Sequence, residues 1–251
     1  VSEIFDLSRE AIEAVLPGRA FRTFPALLST EAEAMRWARQ GAPDGAVVTA
    51  GYQASPRGRS GLSFNQLNEP GHGLGFSLVL RRDLPATAEG WLYPVAVLGA
   101  LDATGDDSLT VEWPDRLLRN DVVHVTAGVQ AEVVGEHLRW AVATLFVPAA
   151  EAPRTELLAA MVPAIEARLE QPAEALRADY RRACGTLGRP VQARLLPLGP
   201  AAPTHTGIAV DLALDGGLVI EEASGAHVVI DPQSLGFLED RPAGLDDVAG
   251  H

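Results

Sequence analysis

The sequence predicts an α+β protein: a mixed, largely antiparallel sheet with helices packed on one side of it, followed by a small C-terminal β-barrel. Three observations predict it. Apolar residues recur at helical spacing both before and after the middle of the chain. Between them, residues 109–147 break into short β-rich runs separated by polar turns, the pattern of neighbouring strands in a sheet. After residue 185, strand-length segments with Gly or Asp-Gly turns crowd into about fifty residues, which implies a small barrel. The chain then divides into a main domain over residues 1–185, a barrel over 186–241 and a frayed acidic tail over 242–251.

Taken in order, residues 8–16 read as a short helix capped by Ser8 and stopped by Pro17-Gly18. A first strand is expected at residues 20–24. Thr30-Glu31-Ala32-Glu33 has the form of a capping box, and Ala34, Trp37 and Ala38 continue it as an apolar stripe ending near Gly41. Residues 47–50 and 75–81 are strands that bracket a loop. Residues 91–101, apolar and rich in small side chains, suit a helix buried against the sheet. Strands are expected at 109–113, 122–126, 129–134 and 139–147, helices at 155–169 and 172–185, and strands at 191–196, 206–212, 217–221 and 227–230. Leu176, Tyr180 and Cys184 recur at i, i+4 and i+8, so Cys184 points inward as a core thiol.

Unusual chemistry concentrates in residues 53–77. Arg57 and Arg59 lie in a loop with Gly58 and Gly61, where freed backbone and two guanidinium forks could converge on one anion. A phosphate or carboxylate cradle is one reading. An ordinary solvated hairpin loop with two surface arginines is the other. His72, in the glycine segment beside this loop, is either a ligand hydrogen-bond donor or general base, or a plain loop residue.

Composition narrows the function classes. The formal net charge of −13 argues against a general binder of nucleic acid or anionic membrane, both of which need a basic face. One cysteine excludes an internal disulfide and a Cys-cluster metal site. Six histidines with no i, i+4 pair make a structural zinc site an unsupported reading, so no metal is expected. No cleavable signal or membrane-length apolar run is read, and a reducing, cytoplasmic setting is expected. All twenty basic side chains are arginine, so no lysine amine exists for Schiff-base or Walker-type chemistry. Codon bias, or removal of acceptor amines, would each account for that.

Several of these pieces, in order along the chain, resemble the biotin protein ligase family. Ser29-Thr30 with the helix after it and Gly41-Ala42-Pro43-Asp44-Gly45 resembles the family's Ser-Thr segment and small-residue turn. Residues 53–61, Gln-Ala-Ser-Pro-Arg-Gly-Arg-Ser-Gly, resemble its Gly-Arg-Gly-Arg-Arg-Gly loop, and Pro70 to Ser77 the strand entry that follows. Trp113-Pro114-Asp115 resembles its Lys-Trp-Pro-Asn-Asp motif, and residues 180–188 its C-terminal junction. The resemblance implies a class II aminoacyl-tRNA synthetase/biotin ligase-like domain with an SH3-like C-terminal barrel. No winged-helix domain is read ahead of it, so a repressor role is not implied.

By the same resemblance, Ser29, Thr30 and Gln53 would face the biotin end of a pocket. Arg57 and Arg59, with Gly58, Gly61 and Gly73 shaping the backbone, would hold the ligand carboxylate and nucleotide phosphates, and Phe64 would stack on adenine. The family's chemistry is attack of a carboxylate on ATP with Mg²⁺, then transfer to a lysine of a carrier protein. Departures cluster where that chemistry belongs. Glu112 replaces the lysine before Trp113, and an anion there would repel a polyphosphate. Val125-Thr126-Ala127-Gly128 lacks its lysine, and Ala141, Ala143 and Leu145 would intrude where a Gly-x-Gly-x-Asn strand is expected. No catalytic residue is assigned.

The expectation is therefore a divergent biotin protein ligase-like protein with a remodelled cleft. It would bind a small acyl or adenylate-like ligand, or a partner, without standard biotinylation. The alternative is a working ligase or acyltransferase of the biotin/lipoate class, using ATP, Mg²⁺ and biotin on a biotin-carrier-type protein, with arginine in the lysine roles. A third reading is a purely structural subunit that uses the exposed sheet to form a homodimer, as the resemblance to the family implies.

Overall fold

The computed structural model describes residues 6–62 and 72–240. Its elements are α1 (Arg9–Val15), β1 (Phe21–Phe24), α2 (Thr30–Arg39), β2 (Val47–Ala50), β3 (Leu74–Leu80), α3 (Leu92–Thr104), β4 (Thr110–Glu112), β5 (Arg116–Arg119), β6 (Val122–Val134), β7 (His137–Val147), α4 (Arg154–Leu169), α5 (Ala173–Ala183), β8 (Pro190–Leu195), β9 (Thr204–Leu212), β10 (Leu218–Glu222), β11 (His227–Ile230) and β12 (Leu235–Asp240). The expected α+β class is present. Phe64 and the acidic tail lie outside the described residues.

The main sheet has the order β1-β2-β3-β7-β6-β5-β4. Only β1 and β2 run parallel, joined by α2 as crossover; the other neighbours are antiparallel. Because successive strand residues face opposite ways, the sequence sorts onto two faces. Leu74, Phe76, Leu78 and Leu80 of β3, with Ala141, Ala143 and Leu145 of β7, enter the large core under α3, α4 and α5. Val48, Val79, Trp140 and Val142 face the other way and pack under Ala34 and Ala38 of α2.

Helices therefore cover both faces, not one. An apolar stripe shows that α2 packs on a sheet but not on which side. The small side chains of Ala34 and Ala38 let α2 lie close over one end of its face. α3 sits deep on the other, buried continuously from Leu92 to Ala100 because α4 covers its outer side.

Two further differences concern strands. β6 is continuous where two strands were expected, because Ala127 and Gly128 still pair with Leu145 and Thr144. β5 and β12 were not read from the sequence. The C-terminal strands form an antiparallel sheet in the order β11-β10-β9-β8-β12, whose edge strands β11 and β12 are not paired to each other. The sheet is thus open. It is docked on the main sheet: Trp113 is buried and its indole Nε1–H donates to the Gly216 carbonyl at 2.9 Å. No helix among the described residues is long and apolar enough to cross a membrane.

Candidate functional site

Register places one row of residues across the face that α2 only partly covers. From one edge it runs Ala50, Gly75, Phe146, Thr126, Arg116, Glu112. The next row contains Val48, Ser77, Thr144 and Gly128. Directly paired residues share a face, so these side chains lie on one side of the sheet with the N-terminus of α2 and the loop after β2, and this face is the candidate cleft.

At its α2 end the cleft is buried and polar. Ser29 caps α2, its Oγ accepting from Ala32 N–H at 3.5 Å, so the cap falls one residue before the expected capping box. Thr30 therefore occupies the first helical position, fully buried. Ser77 Oγ donates to Thr30 Oγ1 at 3.0 Å and pairs with Thr144 Oγ1 at 2.8 Å, giving a line of three buried hydroxyls. Gln53, bridged beside Leu27, accepts the Thr30 N–H through Oε1 at 2.7 Å. Its amide lies flat over Gly75, where an added Cβ would stand 2.0 Å from Nε2.

Glu31, the next residue, was read only as part of a cap. It is 6% exposed and its Oε2 has no hydrogen-bond partner. Burial pushes its carboxyl up to about 7, with nearby Arg57 acting in the opposite direction.

The arginine loop lies on β6. Gly58 N–H donates to Leu62 C=O at 2.8 Å and Leu62 N–H to Arg59 C=O at 2.9 Å, closing the loop on itself. Ser60 and Gly61 take left-handed backbone, at φ 52° and 69°. At Gly128 a Cβ would meet the Gly58 Cα at 2.6 Å, so only glycine lets the loop seat there.

The two arginines have opposite fates. Arg59 is buried: its Nε–H donates to Asp115 Oδ2 at 3.0 Å, and its other nitrogens donate to the carbonyls of Pro232, Leu235 and Gly236. Ser60 Oγ donates to the Gln233 carbonyl at 2.6 Å. The Arg59 side chain thus fastens the loop to the C-terminal sheet, with its guanidinium nitrogens bonded inside the protein and not turned to the surface. Asp115 and the carbonyls of residues 232–236 capture the Arg59 guanidinium beneath the C-terminal sheet, beyond the reach of Arg57. Arg57 is exposed and donates to Gly61 C=O at 3.1 Å, leaving further N–H groups directed outward.

At the far edge, Glu112 stands on the cleft face by register, about 10 Å from Thr126 across two strand spacings. Burial raises its carboxyl pKa, Arg116 lowers it, and Asp115 and Asp240 raise it further. Arg116 Nη1 pairs with Glu112 Oε2 at 3.0 Å, so this edge presents an ion pair in place of a lone cation. Arg119 is bound instead to Asp106 and Glu151. Trp113, one residue on, turns to the core with Val111 and lies outside the cleft. Ala141, Ala143 and Leu145 also face the core; Thr144 and Phe146 are the β7 residues on the cleft side. Strand alternation reverses that expectation.

His72 is exposed, and its carbonyl accepts from Ala150 N–H at 2.9 Å. Buried Gly73 offers its carbonyl to Arg154 Nη1 at 3.3 Å. Arg154, which the sequence reading passed over, also reaches Gly51 C=O and Asp6, so it braces both ends of the loop from the helical side. Cys184 is buried and its pKa raised by that burial, as befits a core thiol. Among the described residues no three His, Cys, Asp or Glu side chains converge on a metal-sized space. Ser77, Thr144 and Glu31 were missed; the signal for Ser77 and Thr144 was a lone hydroxyl within the apolar stretch of each strand, residues 74–80 and 140–147.

No protein-family model matches the chain. It is 31% identical over 114 residues to the bifunctional ligase/repressor BirA of Bacillus spizizenii, covering 44% of this chain and 34% of that protein. It thus spans about a third of that curated relative's length. Among the solved structures that share the fold are two ligase-like proteins. A biotin protein ligase from Aquifex aeolicus in complex with biotin and ATP superposes with TM-score 0.65 at 20% identity, over 88% of this chain and 99% of that one. A biotin protein ligase-like protein of unknown function from Silicibacter also superposes with TM-score 0.65, at 16% identity, over 86% of this chain and 96% of its own.

Proposed function

With the biotin protein ligase fold as premise, we propose that this chain is a divergent member of that group whose cleft holds a small carboxylic acid and does not support standard biotinylation. The α2 end supports the first part. Thr30, Ser77, Thr144 and Gln53 give a desolvated set of hydroxyls and an amide for a polar head group. Arg57 supplies outward N–H groups for a carboxylate.

The observation that carries the second part is Arg59, whose guanidinium is buried against Asp115 and three carbonyls. Transfer of a nucleotidyl group depends on cations placed where phosphate charge develops. Arg59 is turned away, and Glu112 adds a carboxylate on the same face. The donor set on this face does not fit ATP. In this reading the chain divides near residue 185, and the open C-terminal sheet is an SH3-like module that anchors the loop through Gln233 and Arg59.

A second reading, a working ligase that delivers an acyl group to a carrier protein, draws on Arg116, which is half exposed on the cleft face. Exchange of labelled pyrophosphate into ATP in the presence of biotin decides between them. The proposal expects no exchange above a protein-free control. Exchange that depends on biotin overturns it and restores the ligase.

A further inference from the structure

Glu31 has no structural role that explains its burial. Acidic residues in a first helical turn favour the helix dipole, but that effect needs no desolvation. Glu33, in the same turn, supplies it while bonded to Arg22 and Arg36. Glu31 instead shares the sheet-facing side of α2 with Ala34 and Ala38, at i+3 and i+7. There it is more than nine-tenths buried with one carboxylate oxygen unpartnered. Of the strands beneath α2, β1 turns Arg22 toward the helix, where it is bonded to Glu33 and stacked on Trp37, and the side chains that β2, β3 and β7 turn toward it, Val48, Ser77, Val79, Trp140, Val142 and Thr144, carry no charge. Arg57, from the loop, is the charged group that acts on it.

We infer that Glu31 sets the ligand class of this cleft: the head group that docks at the α2 end carries positive charge on N–H donors, as an amidinium or guanidinium does. The inference rests on the reading that the cleft takes a small carboxylic acid through Arg57. A buried carboxylate lacking a partner is unfavourable, and a ligand bringing both N–H bonds and charge offsets that cost, whereas a neutral head group brings only the first. The neighbouring groups accommodate such a ligand, since the hydroxyls of Thr30, Ser77 and Thr144 can accept as well as donate. Occupancy depends on pH in one direction. Burial holds the Glu31 proton up to about pH 7, so affinity for a cationic head group rises as pH increases through 7 and levels off above it.

Biotin and 2-iminobiotin form a matched pair of probes, differing only in a neutral urea against a protonated cyclic guanidine. Calorimetric titration of the full chain at pH 8 is expected to favour 2-iminobiotin by about tenfold or more. Glu31→Gln, which keeps the shape and removes the charge, is expected to abolish that preference, and at pH 6 the wild-type preference shrinks. Equal affinities in the wild type, or a preference unchanged in Glu31→Gln, overturn the inference. If neither compound binds, the acid-binding reading fails, and ligand-observed NMR with n-propylguanidinium and n-propylurea tests the head group alone. Binding of the guanidinium that is lost in Glu31→Gln sustains the inference without that reading. No Glu31-dependent difference between the two small probes overturns it.

Discussion

The two ends of the cleft are built on different principles. At the α2 end, Thr30, Ser77, Thr144 and Gln53 are buried and bonded to one another, so their positions are fixed by packing before any ligand arrives. At the loop end, charged groups are either locked into the protein, as Arg59 is, or exposed at the surface, as Arg57 and Arg116 are. A buried, mutually bonded polar group and a set of separately engaged charges therefore share one sheet face. Arg57 and Arg59, two residues apart in one loop, show how the difference arises: Asp115 and the C-terminal carbonyls capture the second and leave the first at the surface. An arginine in a motif has no role until its partner is known.

The largest test of this contrast is Arg59→Met, which leaves Asp115 buried without its cation and unfastens the loop from the C-terminal sheet. Losing one partner of a buried pair costs about 3–5 kcal/mol, so chemical denaturation should show a loss of that size. Next comes Glu31→Gln. The folded carboxyl holds its proton to about pH 7 against an ordinary 4.5. The native state therefore binds more protons than the unfolded chain between those values, and wild-type stability falls as pH rises through that window. The loss sums to about 3 kcal/mol. Glu31→Gln should match the wild type near pH 4.5 and exceed it by that amount at pH 8, measured by urea melts at both pH values.

A smaller effect is expected at Gly128, where alanine would press on the backbone of Gly58 at 2.6 Å and displace the loop. Overpacking of this kind costs about 1–3 kcal/mol, read as a lowered melting temperature with the hydroxyl line at the α2 end preserved. Smallest is Arg57→Met. An exposed side chain with one hydrogen bond should change stability by about 0.5 kcal/mol or less, while calorimetry shows weakened binding of carboxylic acids. Equal losses from Arg57→Met and Arg59→Met would erase the distinction between the two arginines.

Much of the fold was legible because periodicity is local. Helical stripes gave α2, α4 and α5, and strand-length apolar runs gave β2, β3 and β7. What the sequence could not supply was the side of the sheet. The same alternation that marks β7 as a strand leaves open whether Ala143 or Thr144 faces the cleft, and the helical layer under Ala143 decides it. β12 follows a short turn at Pro232–Ser234 and pairs with β8 far back in the chain, so no local pattern announced it. In the site, Ser29, Thr30, Gln53 and Arg57 were singled out through motif position, and a ligand role for them remains part of the proposal. The burial of Arg59 was not legible because its partners, Asp115 and residues 232–236, are more than fifty positions away. Glu31 was missed because a first-turn acid has an ordinary explanation until its burial is known.

The claim that the phosphate end has been dismantled is tested most directly by titrating ATP into the wild type and Glu112→Lys side by side by calorimetry. The account predicts feeble binding to the wild type and affinity strengthened by about tenfold in the variant, with the gain fading at high salt as expected for exchange of an anion for a cation on the cleft face. Tight ATP binding by the wild type, or an affinity that Glu112→Lys leaves unchanged, would contradict it.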